Sequence, residues 1–126
     1  MAWEHFEVTK QGIAKVVNLT TGEISACQYK RGVILTGKSR VFWGYQIIIE
    51  IEDNIIIGRH KGYSESYFGA LTDCNKKIRQ LGLTLLVAGN SPGYNETPLR
   101  GGAGYGYIAG KAGPVDILEF CANGSF

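Results

Sequence analysis

Residues 41–52, VFWGYQIIIEIE, constrain the fold more than any other part of the chain. The run is rich in β-branched and aromatic residues, and it leads through Asp53-Asn54 into three further isoleucines at 55–57. Such residues favour strands, and Asp and Asn tolerate positive φ, so the pattern predicts a β-hairpin with Asp53-Asn54 as its two-residue turn. That turn places Ile51 opposite Ile56. The chain is therefore expected to fold around an antiparallel sheet.

The alternation of side chains along this hairpin assigns its two faces. One face is predicted to form the core, and it carries Trp43, Tyr45, Ile47, Ile49 and Ile51. The opposite face mixes isoleucine with charge, and it carries Gln46, Ile48, Glu50, Glu52, Ile55, Ile57 and Arg59. This second face is more apolar than a merely solvated surface. We expect either a second layer or a partner to cover it.

One helix is predicted after the hairpin. Ser64 or Ser66 is a suitable N-cap, Leu71 and Ile78 fall at helical spacing, and Gly82 follows as a stop signal. Further strand patterns lie before the hairpin at residues 5–8, 13–19, 23–29 and 33–36, and after the helix at 83–88 and 115–120. Strands, then one helix, then strands indicate the α+β class. We predict one domain over residues 1–126, a single mainly antiparallel curved sheet with one helix packed on one face.

Charge and hydropathy restrict the partners of this domain. The 13 basic residues barely exceed the 11 acidic ones, so the net charge of +2 does not favour an electrostatic grip on nucleic acid. No window approaches 18 apolar residues, and the first ten residues lack the pattern of a signal peptide. We therefore expect a cytoplasmic protein with neither a membrane nor a nucleic acid among its partners.

The three cysteines, Cys27, Cys74 and Cys121, are odd in number and far apart. This spacing matches neither a disulfide framework nor a metal-binding knuckle. Free thiols in a reducing compartment fit the pattern better. The sequence therefore predicts no metal ion and no cofactor.

The segment GGAGYGYIAGKAG, residues 101–113, invites comparison with phosphate-binding loops. Residues 104–109 match the letters of a dinucleotide fingerprint, but two glycines and Pro114 follow where its helix would have to run. A nucleotide-binding loop of the GxxxxGKS type fails at Tyr105 and Ala112. Three interpretations of the segment stay open: a glycine-rich pair of strands, a partner-binding loop, or a ligand site.

Nucleophiles and bases are few in this chain. His5 and His60 are its two histidines, and no catalytic signature surrounds Cys27 or Cys121. We therefore predict a protein that is not an enzyme. A small hydrolase that uses His60 or a cysteine is one alternative, and a small oligomeric ligand-binding module is another.

Tyrosine and arginine are the residue types that most often anchor protein interfaces, and several of them cluster in the second half of the chain. Together with the charges of the hairpin they form the predicted partner-binding set: Glu50, Glu52, Asp53, Arg59, Tyr94, Glu96, Arg100, Tyr105 and Tyr107. A homodimer that covers the outer face of the hairpin stays open as well.

The run CNKKIRQLGLTLLVAGNSPGYNETPLRGGAGYGY, residues 74–107, follows a β-meander in a small chain. In size, organisation and this run, the protein resembles the small immunity proteins encoded beside bacterial polymorphic and contact-dependent toxins. The resemblance implies a protein that binds one cognate toxin domain in the producing cell and blocks its active site or substrate path. Immunity proteins against nucleases are often acidic, so the near-neutral charge does not favour a nuclease as the partner.

Overall fold

The structure, a computed structural model, describes residues 3–62, 66–96, 104–122 and 124. Within these residues the chain forms eight strands and one α-helix. Their bounds are β1 (Glu4–Asn18), β2 (Ile24–Thr36), β3 (Val41–Ile51), β4 (Asn54–Lys61), α1 (Ser66–Arg79), β5 (Leu83–Leu85), β6 (Tyr94–Glu96), β7 (Tyr105–Ile108) and β8 (Val115–Asp116). A short 3-10 turn, Ala88–Asn90, lies between β5 and β6.

The large sheet has five strands in the order β4-β3-β2-β1-β5, and every neighbouring pair is antiparallel. It curls into a half-barrel with α1 packed against it, which confirms the predicted α+β class. We call the face toward α1 the inner face and the opposite one the outer face. A three-stranded sheet, β6-β7-β8, adds to this plan, and the sequence did not reveal it.

Strands β1 and β2 are longer than their sequence patterns indicated. The predicted breaks after residues 8 and 29 are wrong, because β1 continues through a bulge at Thr9 and β2 runs through Gly32. A Cβ at Gly32 would overlap the carbonyl oxygen of Glu7 on β1. Glycine here permits close approach of two strands, so it does not mark a turn.

The β3–β4 hairpin turns one residue earlier than predicted. Ile51 pairs with Asn54, so the turn residues are Glu52-Asp53, and Glu52 takes the left-handed conformation with φ 53°. Ile56 consequently lies opposite Ile49 instead of Ile51. The turn moves by one residue, so each pairing partner changes by two residues. Because side chains alternate with a period of two, the isoleucines keep their predicted faces. The inner face therefore does bury Ile47, Ile49 and Ile51.

Trp43 is the exception to this alternation. Leu35 pairs with Phe42 and Ile34 pairs with Gly44, which leaves Trp43 as the extra residue of a bulge. Phe42 takes the place in the core that was predicted for Trp43. The Trp43 ring instead lies under the guanidinium of Arg59, 4.9 Å from its centroid, on the outer face.

Helix α1 packs closely on the inner face of β3 and β4. A Cβ at Gly58 of β4 would overlap the carbonyl oxygen of Ala70, so glycine lets the helix backbone approach the strand. Leu71, Cys74 and Ile78 are fully buried in this contact. The core of the protein therefore lies between the inner face and α1.

Side chains of α1 also reach the free edge of β4. Asp73 Oδ2 accepts a hydrogen bond from the amide of Arg59 at 3.1 Å. Lys77 Nζ donates to the carbonyl oxygen of Ile57 at 2.6 Å. Two backbone groups in the middle of this edge strand are thus already bonded within the chain.

Candidate interaction surface

The described part of the glycine-rich segment is a strand. Residues 105–108 form β7, which pairs Tyr107 with Asn95 of β6 and Gly106 with Val115 of β8. Of the three interpretations, the strand therefore holds for residues 105–108. Residues 101–103 lie outside the described residues.

A buried arginine joins the small sheet to the large one. Arg31 projects from the inner face of β2 and is 2% exposed. Its Nη2 lies 2.8 Å from Asp116 Oδ2, and Lys10 Nζ lies 2.5 Å from the same oxygen. The Arg31 Cζ atom is 5.0 Å from the ring centroid of Tyr67 and 5.3 Å from that of Tyr105. The guanidinium thus contacts β8, β7 and α1 at once, in cation–π and ion-pair geometry.

The hydrogen bond from Lys10 to Asp116 raises the pKa of Lys10 above its ordinary value, although partial burial opposes that shift. The carboxylate therefore faces two cations. Asp116 supplies Arg31 with a close counter-charge within the core.

The position of Arg31 explains why residue 104 of the segment is a glycine. Its φ is 84°, and a Cβ there would overlap Nη1 of Arg31. Only a residue without a side chain leaves room for the guanidinium at this point. The glycine accommodates an internal cation, whereas a phosphate loop would present backbone amides to an external anion.

Tyr94 and Glu96, two of the predicted partner-binding residues, contact the interior. Tyr94 is 8% exposed, its ring stacks on Phe68 with centroids 6.3 Å apart, and burial raises the pKa of its hydroxyl. Glu96 accepts hydrogen bonds from the amides of Tyr67 at 3.2 Å and Phe68 at 2.9 Å. Burial raises the pKa of Glu96, and these two bonds oppose the rise.

Glu96 therefore caps the start of α1 from a distant strand, where the sequence predicted Ser64 or Ser66. Ser64 and the side chain of Ser66 lie outside the described part of the structure. A capping residue 28 positions away along the chain has no local sequence signal.

The outer face exposes a group of isoleucines. Ile13, Ile24 and Ile55 are 71%, 53% and 68% exposed, and Ile57 is 39% exposed. Cross-strand pairing sets Ile13, Gln28, Glu50 and Ile55 in one row and Lys30, Ile48 and Ile57 in the next. Among the described residues, no second layer covers this face. The sequence-based expectation of an unusually apolar outer face agrees with this exposure.

A groove of about 270 Å³ runs across this face. It is lined by Gln11, Ile13, Gln28, Lys30, Ile48 and Glu50, with Gly12 and Tyr29 at its floor. Ile13 and Lys30 were absent from the predicted set, because the pairing of β1 and β2 with the hairpin brings them there. The alternation of β2 around Gln28 and Lys30 is the signal from which they could have been found.

At the end of the outer face away from the groove, side chains of the chain itself cover the sheet. Ile34 and Gln46 are 1% and 7% exposed, and Arg59 Nε donates to Gln46 Oε1 at 3.0 Å. Arg59 Nη2 also meets Glu4 Oε1 at 2.5 Å, although two strands separate β1 from β4. The two side chains therefore reach toward each other across the outer face. Arg59 is thus held in place by the fold.

The remaining predicted residues lie in different places. Glu52 and Asp53 are exposed at the hairpin tip, and Glu50 lies in the outer-face groove. Tyr105 and Tyr107 project from β7, on the inner side of the large sheet, with Tyr107 48% exposed. Arg100 lies outside the described residues. The structure therefore separates the hairpin residues from the tyrosines and does not unite them in one surface.

Of the groups considered for catalysis, His60 and Cys27 sit within packed regions, whereas His5 is exposed and Cys121 is half-buried. His60 is half-buried, and a Cβ at Gly69 of α1 would overlap its ring. Burial raises the pKa of the Cys27 thiol to about 11 and that of Cys74 to about 12, which disfavours the nucleophilic thiolate. In the described ranges, no three His, Cys, Asp or Glu side chains are grouped so as to hold a metal ion.

No family model matches the chain, and no curated protein or solved structure is significantly similar to it. The resemblance to immunity proteins therefore stays a prediction. Among the described residues, no helix has the length and apolar character needed to cross a membrane.

Proposed function

We propose that the protein is a binding protein that neutralises a cognate bacterial toxin domain by covering it with the outer face of the large sheet. The observation that carries this proposal is the exposure of Ile13 and Ile55 beside a groove, on a face that nothing in the described chain covers. Apolar side chains rimmed by polar ones are typical of protein-binding surfaces. The resemblance stated above makes a toxin domain the partner, and the cytoplasm of the producing cell the place of action.

The composition of the groove supports a specific protein contact over a general one. Lys30 and Glu50 carry opposite charges on neighbouring strands, beside the exposed isoleucines. Opposite charges around an apolar centre fix the orientation of a partner and reject surfaces of the wrong charge. The surface is therefore suited to one partner of matching pattern.

Co-expression with a toxin domain encoded beside the gene of this protein tests the proposal. The intact chain should rescue growth and co-purify with the toxin domain. Ile13→Ala and Ile55→Ala should each weaken the complex by about 1 to 3 kcal/mol if they are anchors, and change the melting temperature little. Leu81→Ala is the matched control, because Leu81 is 46% exposed just after α1, away from the outer face.

Two outcomes would replace the proposal. Failure of both growth rescue and complex formation would show that the chain is not an immunity protein for that toxin. A hydrolytic activity that His60→Ala abolished without loss of stability would favour the enzyme alternative.

A further inference from the structure

We infer that the outer face of the free protein packs against the outer face of a second copy of the same chain, in a two-fold symmetric dimer. The face is apolar enough to require a cover, since Ile13 and Ile55 are each more than two-thirds exposed. Its charges are of both signs and close together, so the face is complementary to itself. A second copy is the occupant that this pattern fits.

Lys30 and Glu50 are the charges that make the face self-complementary. Glu50 pairs with Gln28, and Lys30 pairs with Ile48, so the two residues are diagonal neighbours on β2 and β3. Both line the groove, with Lys30 exposed and Glu50 half-buried. Within the described residues, neither takes part in an ion pair.

A two-fold axis that lies in the interface, midway between Lys30 and Glu50, pairs these charges and also covers the isoleucines. It places each Lys30 opposite Glu50 of the second copy, and therefore forms the ion pair twice. The isoleucines around the groove meet their counterparts in the same contact and lose their exposure to water. Packing of two sheets face to face is a common way to bury such side chains.

The size of the face places this contact in a class of interface. Four strands spaced about 4.8 Å apart and eight residues long, the length of β4, cover about 500 Å². Two copies would bury about 1,000 Å², which is at the weak, transient end of specific interfaces. If the proposed function holds, the toxin domain uses the same face, and dissociation of the dimer regulates access to it.

Sedimentation equilibrium of the full chain tests the dimer without any partner. Wild type should show a reversible monomer–dimer equilibrium with a dissociation constant in the micromolar range, weakened by added salt. Lys30→Glu and Glu50→Lys should each raise that constant about tenfold or more, because like charges then face each other. The double variant with both changes should restore it, since the pair is re-formed with its charges exchanged.

Lys76→Glu is the control, because it makes the same change of charge on an exposed position of α1, across the sheet from the outer face. It should leave the equilibrium unchanged. Thermal melts establish that each variant is folded. A wild type that stays monomeric over the whole concentration range would overturn the inference. Single variants that dimerise as wild type does, or a double variant that stays monomeric, would overturn it too.

A second arm separates this inference from the proposed function. Addition of the toxin domain should convert the dimer into a complex with one copy of the chain. A dimer that forms and responds to the variants, with no toxin complex, would sustain the inference and remove the proposed function. A toxin complex from a chain that never dimerises would do the reverse.

Discussion

Arg31 donates a hydrogen bond to Asp116 over 2.8 Å at a place where the two side chains are 2% and 8% exposed. The pair joins β2 of the large sheet to β8 of the small sheet, 85 residues apart in the chain. A charge buried this deeply is tolerated only with a close counter-charge. The stability of the small sheet should therefore depend on this contact.

Asp116→Ala is expected to destabilise the protein by about 3 to 5 kcal/mol, because it leaves Arg31 buried without its carboxylate. Arg31→Met should cost less, since Asp116 keeps its ion pair with Lys10 and the apolar side chain fills part of the space. Urea denaturation of the two variants compares these costs. A larger loss for Arg31→Met than for Asp116→Ala would contradict this account.

Gly104→Ala should destabilise the protein more than Gly110→Ala. Both glycines have positive φ, 84° and 83°, so each substitution incurs the left-handed penalty of about 1 to 2 kcal/mol. A Cβ at Gly104 also overlaps Arg31, whereas no atom lies within 4 Å of one at Gly110. The extra loss at Gly104 should be about 1 to 3 kcal/mol, as in other overpacked sites. Equal denaturation midpoints for the two variants would rule out the steric explanation.

Ile49→Ala is expected to cost about 2 to 5 kcal/mol, because its side chain is fully buried between the sheet and α1. Ile57→Ala, on the outer face of the same hairpin, should cost much less at low protein concentration, since its side chain is 39% exposed. Chemical denaturation of both variants measures the difference. Similar losses would mean that the outer face is buried as deeply as the inner one.

Glu96 should make stability depend on pH in the acidic range. Burial raises its pKa in the folded protein, so the folded state binds a proton more tightly than the unfolded chain does. This contribution to stability is therefore present at low pH and is lost as the pH rises through the folded-state pKa. The melting temperature of wild type relative to Glu96→Gln should fall between pH 4 and pH 7. A relative melting temperature that rises over this interval would show the opposite sign of the shift.

One thiol of the native protein should react quickly with a disulfide reagent at mildly alkaline pH. Cys27 and Cys74 are buried with thiol pKa values of about 11 and about 12, whereas Cys121 is half-buried near the surface. All three should react in denaturant. Cys121→Ser should remove the fast phase, and a fast phase that persisted in this variant would place the reactive thiol elsewhere.

Periodicity predicted the large sheet better than it predicted the details of pairing. The isoleucines of β3 kept their faces because alternation depends on local geometry alone. The turn at Glu52-Asp53 and the bulge at Trp43 depend on how neighbouring strands fit, and no residue type announces either of them. Tertiary contact thus overrode the local turn preference of Asp53-Asn54.

The candidate surface could be predicted only in part, for a similar reason. Glu50 was identified from the hairpin, whereas Ile13 and Lys30 join it through strands that are distant in sequence. Tyr94 and Glu96 have the composition of an interface, yet their surroundings in three dimensions bury one and bond the other to α1. Residue type therefore indicates which interactions a side chain can make, and the tertiary structure determines whether that side chain is exposed to a partner.

Asp73 and Lys77 also oppose the addition of another strand at the β4 edge. An open edge on β4 would let strand add to strand without limit, and the sheet would lengthen into a fibre. The bonds to the Arg59 amide and the Ile57 carbonyl oppose that growth, because an incoming strand would first have to displace both. Contact through the outer face stops at two copies, because each copy has one such face and the dimer buries it. The helix that completes the core thereby also protects the β4 edge, so the exposed isoleucines of the outer face do not lie beside a β4 edge that is ready to pair.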